Sequence, residues 1–412
     1  MNVEIITIGD ELLLGQVVDT NSAWMGAELA KEGFRVRGIT SIGDEADGIK
    51  ETVARLMKKS DIVLITGGLG PTNDDITLQT LCEFFGTKMV FSERIYKDVE
   101  NFIGGRPGAM NELNRNQAMV PENATVISNI VGTAPITWFE RDGKVLVSMP
   151  GVPVEMKTVM SNEIIPRLKQ HFKAPSLQHR HIIVSGYAES ALAIKLKEWE
   201  SHLPNYIKLA YLPQIGLMRL RLTASLDDQQ ELSRVLDEQI EKVKLVLGNA
   251  ILALEDITPE VVIGNLLRQK KLTLATAESC TGGYIAHLIT SVSGSSDYFK
   301  GSVVAYANEI KHRLLHVAED DLTKFGAVSR QVVEQMARGA RFQFGTDVAV
   351  ATSGVAGPTG GTEEKPVGLV WIAVAVGNRV VSECYQFGKF RDRNIIRSAI
   401  AALAMLKKEI EK

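Results

Sequence analysis

Short apolar runs alternate with amphipathic stretches in the first part of the chain. The runs Val3–Ile8, Phe34–Thr40 and Asp61–Thr66 have the length and β-branched content of strands. Between them, Asn21–Glu32 and Glu45–Lys58 have the apolar spacing of helices. Because strands that alternate with helices favour a parallel sheet covered on both faces, the pattern predicts an α/β domain at the amino terminus.

The middle of the chain has a different order of elements. Its strand and helix patterns follow one another as β-α-β-β-α-β, at His181–Val184, Glu189–Trp199, Ile207–Tyr211, Leu217–Thr223, Asp227–Leu247 and Ala250–Ala253. This order predicts a small α+β domain of the split βαβ type. A Gly-x-x-Gly loop between helices and an aromatic pair on a central strand are both missing, so a packing or spacer role is expected rather than RNA binding.

The last third returns to alternating strands and helices. The predicted elements after the strand that begins at Leu272 are Val303–Tyr306, Arg330–Phe344, Val348–Ala351, Val367–Val376 and Asn394–Glu409, with a helix at Val261–Gln269 before it. We therefore predict an α/β protein with two three-layer α/β domains joined by a small α+β domain. The expected limits are residues 1–172, 173–254 and 255–412.

Composition narrows the class of protein. A chain of 412 residues, 45% hydrophobic and 23% charged, is typical of a globular protein with more than one core. A net charge of −3 offers no attraction to nucleic acid or an anionic membrane. The three scattered cysteines, Cys82, Cys280 and Cys384, indicate reduced thiols. We expect a cytoplasmic protein without nucleic-acid or membrane partners, and a homodimer is a reasonable assembly.

A serine stands at a predicted strand-to-helix corner in the last third. The strand pattern ends at Glu278, and Ser279 precedes the amides of Thr281, Gly282 and Gly283. Amides at such a corner can hold an anion or a developing oxyanion, which predicts a nucleophilic serine. The alternative is a helix-capping serine followed by two glycines that allow close packing.

A serine nucleophile needs a base. His287, His312 and His316 offer no convincing partner, because the first is expected to point toward packing and the others flank a solvated helix. Lys311, expected beside the ring of Tyr306, is the candidate if burial lowers its pKa; otherwise it is a surface lysine. Cys280 is a rival nucleophile, but we expect a buried structural thiol.

Two polar loops follow strands in the first part. Gly9–Gly15 comes before the cap Asp19-Thr20-Asn21, and Gly67–Asp75 contains three glycines followed by Asp74 and Asp75. Glycines let amides approach phosphate, and adjacent carboxylates could hold a divalent metal. The two aspartates could equally cap the helix that starts at Ile76. No Lys follows the glycines, so the loop is not a Walker motif.

These loops, together with Pro150-Gly151-Val152-Pro153-x-Glu155-Met156, resemble the amino-terminal half of the CinA family. The resemblance implies a molybdopterin-binding-like fold and hydrolysis of the pyrophosphate of ADP-ribose with Mg²⁺, Mn²⁺ or Co²⁺. It implies metal binding by Asp74 and Asp75, and nucleotide binding by Asp10, Asn21, Gly68, Gly70, Pro71 and Thr72. Ile136-Thr137 stands where the family commonly has a turn glycine, so a reshaped loop is expected there.

Three motifs of the last third resemble the nicotinamide-nucleotide amidase domain of the same family: Ala277–Gly283, Tyr306-x-Asn308-x-x-Lys311 and Ser353-Gly354-x-Ala356-Gly357-Pro358. The resemblance implies that Ser279 attacks the carboxamide of nicotinamide mononucleotide, Lys311 takes its proton and Tyr306 orients the pair, without a cofactor. The implied substrate-binding residues are Thr281, Gly282, Gly283, Asn308, Thr352, Ser353, Gly354, Gly357, Arg393 and Arg397. Spacing does not choose between Thr352 and Thr359, or between Arg393 and Arg397.

The leading hypothesis is a bifunctional pyridine-nucleotide hydrolase acting on nicotinamide mononucleotide and ADP-ribose. A nucleotide-binding regulatory protein with inactive sites is one alternative. A molybdopterin-handling protein is another, although it leaves Ser279, Lys311 and Ser353 without a role.

Overall fold

The structure is a computed structural model that describes residues 1–72, 75–104, 111–172, 177–226 and 228–412. It divides into two compact units, one of Met1–Gln178 with Ser225–Gln229 and one of His179–Ala224 with Gln230–Lys412. None of the helices in the described part of the chain has the length and apolar composition needed to cross a membrane.

The first unit is an α/β structure around a six-stranded sheet. Its elements are β1 (Asn2–Ile8), α1 (Asp10–Leu13), α2 (Thr20–Lys31), β2 (Arg35–Ile42), α3 (Ala46–Lys59), β3 (Ile62–Thr66), α4 (Thr77–Phe85), β4 (Met89–Phe91), α5 (Glu93–Ile103), α6 (Glu112–Asn116), β5 (Met119–Pro121), β6 (Thr125–Ile127), β7 (Ile136–Arg141), β8 (Lys144–Met149), α7 (Pro153–Val159), a π-helical turn (Met160–Ile164) and α8 (Ile165–Phe172). The sheet order is β2-β1-β3-β8-β7-β6, and β4 pairs with β5 separately.

The prediction of a parallel sheet is confirmed for the three strands on which it rested, β1, β2 and β3, but the far side of the sheet is antiparallel. Strands β2, β1, β3 and β8 are mutually parallel, whereas β7 pairs antiparallel with β8 and β6 pairs antiparallel with β7. The reversal comes from the two-residue turn Asp142-Gly143, in which both residues have positive φ. Such a turn matches the twist of a hairpin and returns the chain beside itself. The central strands are covered on both faces, as predicted: Ile5 and Leu64 belong to one core cluster, Ile6 and Ile65 to another.

The middle segment has the predicted β-α-β-β-α-β order. Its elements are β9 (Leu177–Ser185), α9 (Glu189–Ser201), β10 (Ile207–Gln214), β11 (Leu217–Ser225), α10 (Gln229–Leu247), a 3-10 turn (Gly248–Ala250) and β12 (Ile251–Ala253). The sheet order is β10-β11-β9-β12. Along β11, Met218, Leu220, Leu222 and Ala224 are buried and alternate with half-buried residues, which is the pattern of a sheet with one face in a core.

The carboxyl-terminal part contains a five-stranded sheet between helices. Its elements are α11 (Pro259–Lys270), β13 (Leu274–Glu278), α12 (Tyr284–Thr290), a 3-10 turn (Ser295–Asp297), β14 (Phe299–Val304), α13 (Asn308–Leu315), α14 (Glu319–Phe325), α15 (Arg330–Phe344), β15 (Val348–Gly354), β16 (Leu369–Val376), β17 (Arg379–Gln386) and α16 (Arg391–Glu411). The order is β14-β13-β15-β16-β17, with β13 parallel to β14 and β15 and the last two strands antiparallel. The fold class is confirmed; β17 was not predicted.

Small residues let α15 lie close to this sheet and to α13. Ala277, Ala349, Ala351, Ala373 and Ala375 share a buried cluster with apolar residues of α15. On α15 itself, a Cβ added at Gly339 would lie 2.0 Å from the carbonyl oxygen of Leu315, at the end of α13. The position therefore requires glycine, and it sets how closely these two helices approach.

Replacing Gly339 with Ala should lower the free energy of unfolding by about 1–3 kcal/mol, because α13 and α15 must move apart to admit the methyl group. Gly26→Ala in α2 is the matched control. No atom lies within 4 Å of the added Cβ at Gly26, so that change should stabilise the helix by about 0.4–1 kcal/mol. Urea unfolding followed by circular dichroism measures both changes. A Gly339→Ala protein as stable as the wild type would contradict the close packing of the two helices.

Candidate active site

Ser279 occupies the corner between β13 and α12, as predicted. Its amide donates to the carbonyl of Thr352 at 3.0 Å, which anchors it just past the end of the sheet. Gly282 and Gly283 have φ of 60° and 94°, so the tight turn before α12 uses conformations that favour glycine. The serine is 9% exposed, and its hydroxyl is held at the carboxyl edge of the sheet.

Glu278, which sequence analysis did not single out, holds the corner from inside. Its side chain is fully buried, and its two carboxylate oxygens accept hydrogen bonds from the amides of Gly283 (3.1 Å), Ile285 (3.0 Å) and Ala286 (2.8 Å). These amides belong to the start of α12, where no backbone acceptor exists within the helix. Glu278 therefore caps α12 and fixes the turn that contains Ser279.

The cap corrects the prediction that the amides of Thr281, Gly282 and Gly283 together face an anion. The Gly283 amide donates to Glu278, and the Gly282 amide donates to the carbonyl of Ser279 at 3.1 Å. Of the three, the Thr281 amide alone has no partner within the described ranges of the chain. It is the remaining candidate for an oxyanion donor at this turn.

Lys311 lies against Ser279. Its side chain is 1% exposed, and its Nζ is 3.2 Å from the Ser279 Oγ and 2.7 Å from the carbonyl oxygen of Ala305. No carboxylate forms an ion pair with this amine among the residues that the structure describes. Because burial removes water from the ammonium form without a counter-ion to replace it, the pKa of Lys311 is lowered. An uncharged amine at this place can accept the serine proton.

The rival nucleophile and the rival bases are placed elsewhere. Cys280 is buried in an apolar cluster, and burial raises the pKa of its thiol to about 12, so the thiolate is disfavoured. His287 is exposed, which makes the expectation that it points toward packing wrong. His312 and His316 are exposed, as expected. The prediction of Lys311 as the neighbouring base is the one that the geometry favours.

Tyr306 has a different neighbour from the one expected. Its side chain is 62% exposed, and its hydroxyl accepts from Arg391 Nη2 at 2.8 Å. Among the described residues, the hydrogen bonds of Ser279 and Lys311 do not include Tyr306, and its role in orienting that pair stays a prediction. Arg391 also donates to the carbonyl of Gly357 at 2.9 Å, and it thus joins two loops at the carboxyl edge.

Arg393 and Arg397, the arginines of α16 that were predicted to bind substrate, have different surroundings from Arg391. The guanidinium of Arg393 lies over the ring of Phe390, 5.3 Å from its centroid, and Arg393 is exposed. Arg397 lines a separate cavity whose walls include neither Ser279 nor Lys311. The sequence alone does not single out Arg391 among these arginines, because only the folded structure brings Arg391 to Tyr306.

The loop after β15 is held by internal hydrogen bonds. The hydroxyl groups of Thr352 and Thr281 lie 2.7 Å apart, both buried, whereas Thr359 is exposed. Ser353 Oγ donates to the carbonyl of Ala327 at 2.7 Å. Thr352 is therefore the threonine that adjoins the Ser279 corner, and it acts there by holding Thr281. Ser353 supports the loop rather than presenting a free hydroxyl.

Close packing and exposure separate the remaining predicted substrate-binding positions. A Cβ at Gly354 would lie 2.6 Å from Val370 Cγ2, and one at Gly357 would lie 2.5 Å from Val367 Cγ1. Both glycines therefore permit close packing of the loop. Asn308 is the exposed first residue of α13.

Asn394 is a further residue that sequence analysis missed. It is 1% exposed, and its Nδ2 donates to the carbonyls of Ala356 and Gly388, both at 2.9 Å. Its Oδ1 accepts from the Gly388 amide at 3.1 Å. The sequence feature that could have indicated Asn394 is its polar amide in the first turn of an amphipathic helix. Asn394 ties the loop after β15 to the start of α16, where Arg391 is carried.

In the first unit, the polar loops surround a group of acidic side chains. The Asp10 amide donates to Asp44 Oδ2 at 3.1 Å, and the Asp44 amide lies 3.4 Å from Asp10 Oδ1. Burial raises the pKa of Asp44, and the negative charges of Asp10, Glu11 and Asp75 raise it further. Asp44 was not predicted. A cation would relieve this repulsion.

The predicted metal ligands are only partly placed. Asp75 Oδ2 accepts from the Thr72 amide at 3.0 Å and from its hydroxyl at 2.5 Å, which closes the turn after the glycines. Asp74 lies outside the described residues. Within residues 1–72, 75–104 and the other described ranges, no three His, Cys, Asp or Glu side chains converge as metal ligands. Metal binding here stays a prediction.

Four of the predicted nucleotide-binding residues of this unit line one of two cavities, and Asp10 and Gly68 line neither. Gly70, Pro71 and Thr72 line a cavity of about 310 Å³ together with Asp75. Asn21 lines another, of about 110 Å³, and donates from Nδ2 to the carbonyl of Gly151 at 2.7 Å.

Gly68 and Ile136 each show why the backbone takes its observed conformation at their position. Gly68 has φ of 63°, and an added Cβ would lie 2.2 Å from Thr77 Oγ1 and 3.3 Å from Asp44 Oδ1. The loop therefore passes too close to Thr77 for a larger residue at this position. Ile136 and Thr137, which replace the family's turn glycine, are buried residues of β7, so extended backbone accommodates the branched Ile136 side chain.

These features define a multidomain α/β protein with a buried serine–lysine pair in one unit and an acidic, glycine-rich loop region in the other. Residues 4–170 match the model of a probable molybdopterin binding domain, residues 179–253 that of the damage-inducible protein CinA KH domain, and residues 257–410 that of the CinA C-terminal domain. The middle segment, expected to be a spacer, thus has a family model of its own.

Relatives match over the full length. The chain is 45% identical over 408 residues to a CinA-like protein of Cytophaga hutchinsonii, covering 99% of this chain and 98% of that protein. It is also 45% identical over 416 residues to a CinA-like protein of Flavobacterium psychrophilum, covering 100% and 99%. The chain belongs to the CinA family. The crystal structure of the competence/damage inducible protein CihA from Agrobacterium tumefaciens is 36% identical, with a TM-score of 0.36, covering 39% of this chain and 100% of that one.

Replacing Lys311 with Met should make stability less dependent on pH. With its pKa lowered in the folded chain, Lys311 is uncharged there at pH values where the unfolded chain still binds a proton. Wild-type stability should therefore rise with pH toward the ordinary lysine pKa of about 10.4, and Lys311→Met should lack this rise. The variant's advantage in free energy of unfolding should grow as pH falls and level off below the folded pKa.

Urea unfolding between about pH 7 and pH 10 measures this difference. Lys195→Met, at an exposed position of α9, is the matched control for removal of a lysine. Parallel pH curves for the wild type and Lys311→Met would mean that the amine is not held uncharged, and the electrostatic argument for a base would fail.

Proposed function

We propose that the carboxyl-terminal site removes ammonia from nicotinamide mononucleotide to give nicotinate mononucleotide. The observation that carries the proposal is the 3.2 Å approach of Lys311 Nζ to Ser279 Oγ in a buried setting without a counter-ion. The resemblance of three motifs to the amidase domain of the CinA family supports the choice of substrate. The chemistry follows from the pair itself.

The first half of the reaction forms an acyl-enzyme. Uncharged Lys311 accepts the Ser279 hydroxyl proton on its lone pair while one of its N–H groups stays on the carbonyl of Ala305. The serine oxygen then bonds to the carboxamide carbon. The Thr281 amide donates to the oxyanion of the tetrahedral intermediate. Lys311 returns the proton to the leaving nitrogen, so ammonia departs and an ester to Ser279 remains.

The second half reverses these roles with water. Lys311 takes a proton from water, the hydroxide adds to the ester carbon, and the Ser279 oxygen leaves as it regains that proton. One water is consumed, and the products are ammonia and a carboxylic acid, which ionises by giving its proton to the ammonia, so that ammonium and a carboxylate result. Lys311 performs the proton transfers of both halves, so the proposed reaction uses no metal or other cofactor.

Arg391 and Tyr306 form the substrate-binding side of the proposal. Their hydrogen bond places a guanidinium and an exposed phenol beside the loop that contains Gly357. An arginine can bind a phosphate through two N–H groups, and an exposed ring can pack against pyridine. We assign phosphate binding to Arg391, and Thr352 supports the corner through Thr281.

For the first unit we propose hydrolysis of the ADP-ribose pyrophosphate with a divalent ion. The observation that favours it is the group of acidic residues beside the glycine loop, where burial raises the pKa of Asp44 and the negative charges of Asp10, Glu11 and Asp75 raise it further. The carboxylates of Asp44 and Asp75 are oxygen ligands suited to Mg²⁺ or Mn²⁺. A bound ion would neutralise the pyrophosphate and polarise it toward water.

Ser279→Ala should reduce ammonia release from nicotinamide mononucleotide by at least about 10³-fold, since the nucleophile is lost. Lys311→Met should have a similar effect, and wild-type activity should fall as acid protonates the amine. Cys280→Ala, which removes the neighbouring thiol, is the matched control and should keep its turnover. Ammonia is measured by a coupled assay. Unchanged turnover in Ser279→Ala would end the proposal, and thermal stabilisation by ligand without product would support the regulatory alternative.

Chelation by EDTA should abolish ADP-ribose hydrolysis and leave ammonia release unchanged, because only the first unit is proposed to use a metal. Mg²⁺ or Mn²⁺ added back should restore the hydrolysis, but not in Asp44→Asn, where a ligand is missing. Chromatography of the products separates adenosine monophosphate from ADP-ribose. Full ADP-ribose hydrolysis in EDTA would refute the metal requirement.

A further inference from the structure

A cavity in the second unit lies between the middle segment and the carboxyl-terminal helix α16. Its volume is about 770 Å³, within the range of small-molecule sites. One wall is formed by the loop after β9 and the turn between β10 and β11, and the other by the end of β17 and by α16. Its lining contains none of the residues of the Ser279 corner, so it is a separate site.

The two walls of the cavity contact each other along one side of it. A Cβ at Gly216, in the turn between β10 and β11, would lie 3.3 Å from Ile400 Cβ and 3.5 Å from Arg397 Cα on α16. Leu217 and Ala404 pack against a common apolar cluster. The two walls are thus packed together at one side and leave space at the other.

One part of the lining suits a planar ring. Tyr385 and Phe387 are stacked, with ring centroids 5.5 Å apart and planes 9° from parallel. Both are half-buried against the core behind them, which limits their motion. Tyr187 lines the opposite wall. Aromatic faces of this kind bind bases by stacking with little sequence or ring preference.

Another part of the lining suits an anion. Arg397 is half-buried in the wall, and it makes no hydrogen bond or ion pair with any residue in the described part of the chain. Its Nη1 lies beside Gly388, 3.4 Å from the position of an added Cβ, which places the guanidinium next to the residue that follows Phe387. A half-buried arginine without a partner is well suited to a phosphate.

Glu189 is the other charged residue of the lining. It is exposed, in the first turn of α9, and it adds a carboxylate to the opposite wall. A carboxylate would repel a simple anion, but it is a good acceptor for ribose hydroxyl groups. Ring, sugar and phosphate therefore each have a matching group.

We propose that this cavity binds a mononucleotide, with its base on the Tyr385–Phe387 pair, its ribose hydroxyls toward Glu189 and its phosphate on Arg397. The site is independent of the amidase reaction, because it shares no residue with the Ser279 corner.

Adenosine monophosphate is the probe, used with full-length Ser279→Ala protein so that turnover plays no part. Hydrogen–deuterium exchange should slow in peptides spanning 185–191 and 384–389. Ala188→Trp, which fills the cavity from an exposed position of its wall, should abolish this protection, and Arg397→Gln should weaken apparent affinity at least about tenfold. The matched controls are Ala191→Trp, exposed on α9 outside the lining, and Arg338→Gln, exposed on α15. Both should behave as the Ser279→Ala parent.

Unprotected peptides in the presence of adenosine monophosphate, or protection that survives Ala188→Trp, would overturn the site. Equal protection by adenosine would overturn the role of the phosphate, and equal protection by inorganic phosphate alone would overturn the role of the ring. Because amidase activity is measured separately in Ser279-containing protein, failure of this proposal and failure of the proposed function can be told apart.

Discussion

The reactive corner of the second unit depends on one buried carboxylate. Glu278 has no exposed surface, and three amides at the start of α12 donate to it. These bonds replace the water that the carboxylate loses on burial. They also hold the turn between β13 and α12 in one conformation. Since Ser279 is the first residue of that turn, the position of its hydroxyl follows from the cap.

Glu278 does not pair with Lys311 in the described part of the chain. The hydrogen bonds of Glu278 go to the turn, to α12 and to Thr276, and none goes to the lysine that is buried nearby. An ion pair between these two groups would keep the amine protonated and remove its lone pair. Burial acts on Lys311 without a carboxylate partner among the described residues and favours its uncharged form.

Local patterns predicted the central strands β1, β2, β3, β13 and β15 and placed Ser279 at a strand end, but they did not predict β4 to β8 or β17. They were insufficient where tertiary contacts decide. Strand β17 is a half-exposed edge strand joined to β16 by two residues, so its apolar pattern is weak. Arg391 was indistinguishable from Arg393 and Arg397 until the loop at Gly357 was placed. The pKa of Asp44 is raised by burial and then by charges on residues far from it in sequence, neither of which a local pattern shows.

The two units differ in how their charged groups are arranged, and this difference bears on the ligand that each can bind. Near Ser279, a buried carboxylate and a buried amine are each kept from pairing, which suits proton transfer to and from an uncharged amide. Around Asp44, acidic groups lie close together despite their mutual repulsion, which suits the proposed binding of a cation and, through it, a phosphate. Phosphate near Ser279 must instead find a fixed positive charge. Arg391, held between Tyr306 and Gly357, is the arginine already oriented at that edge of the sheet.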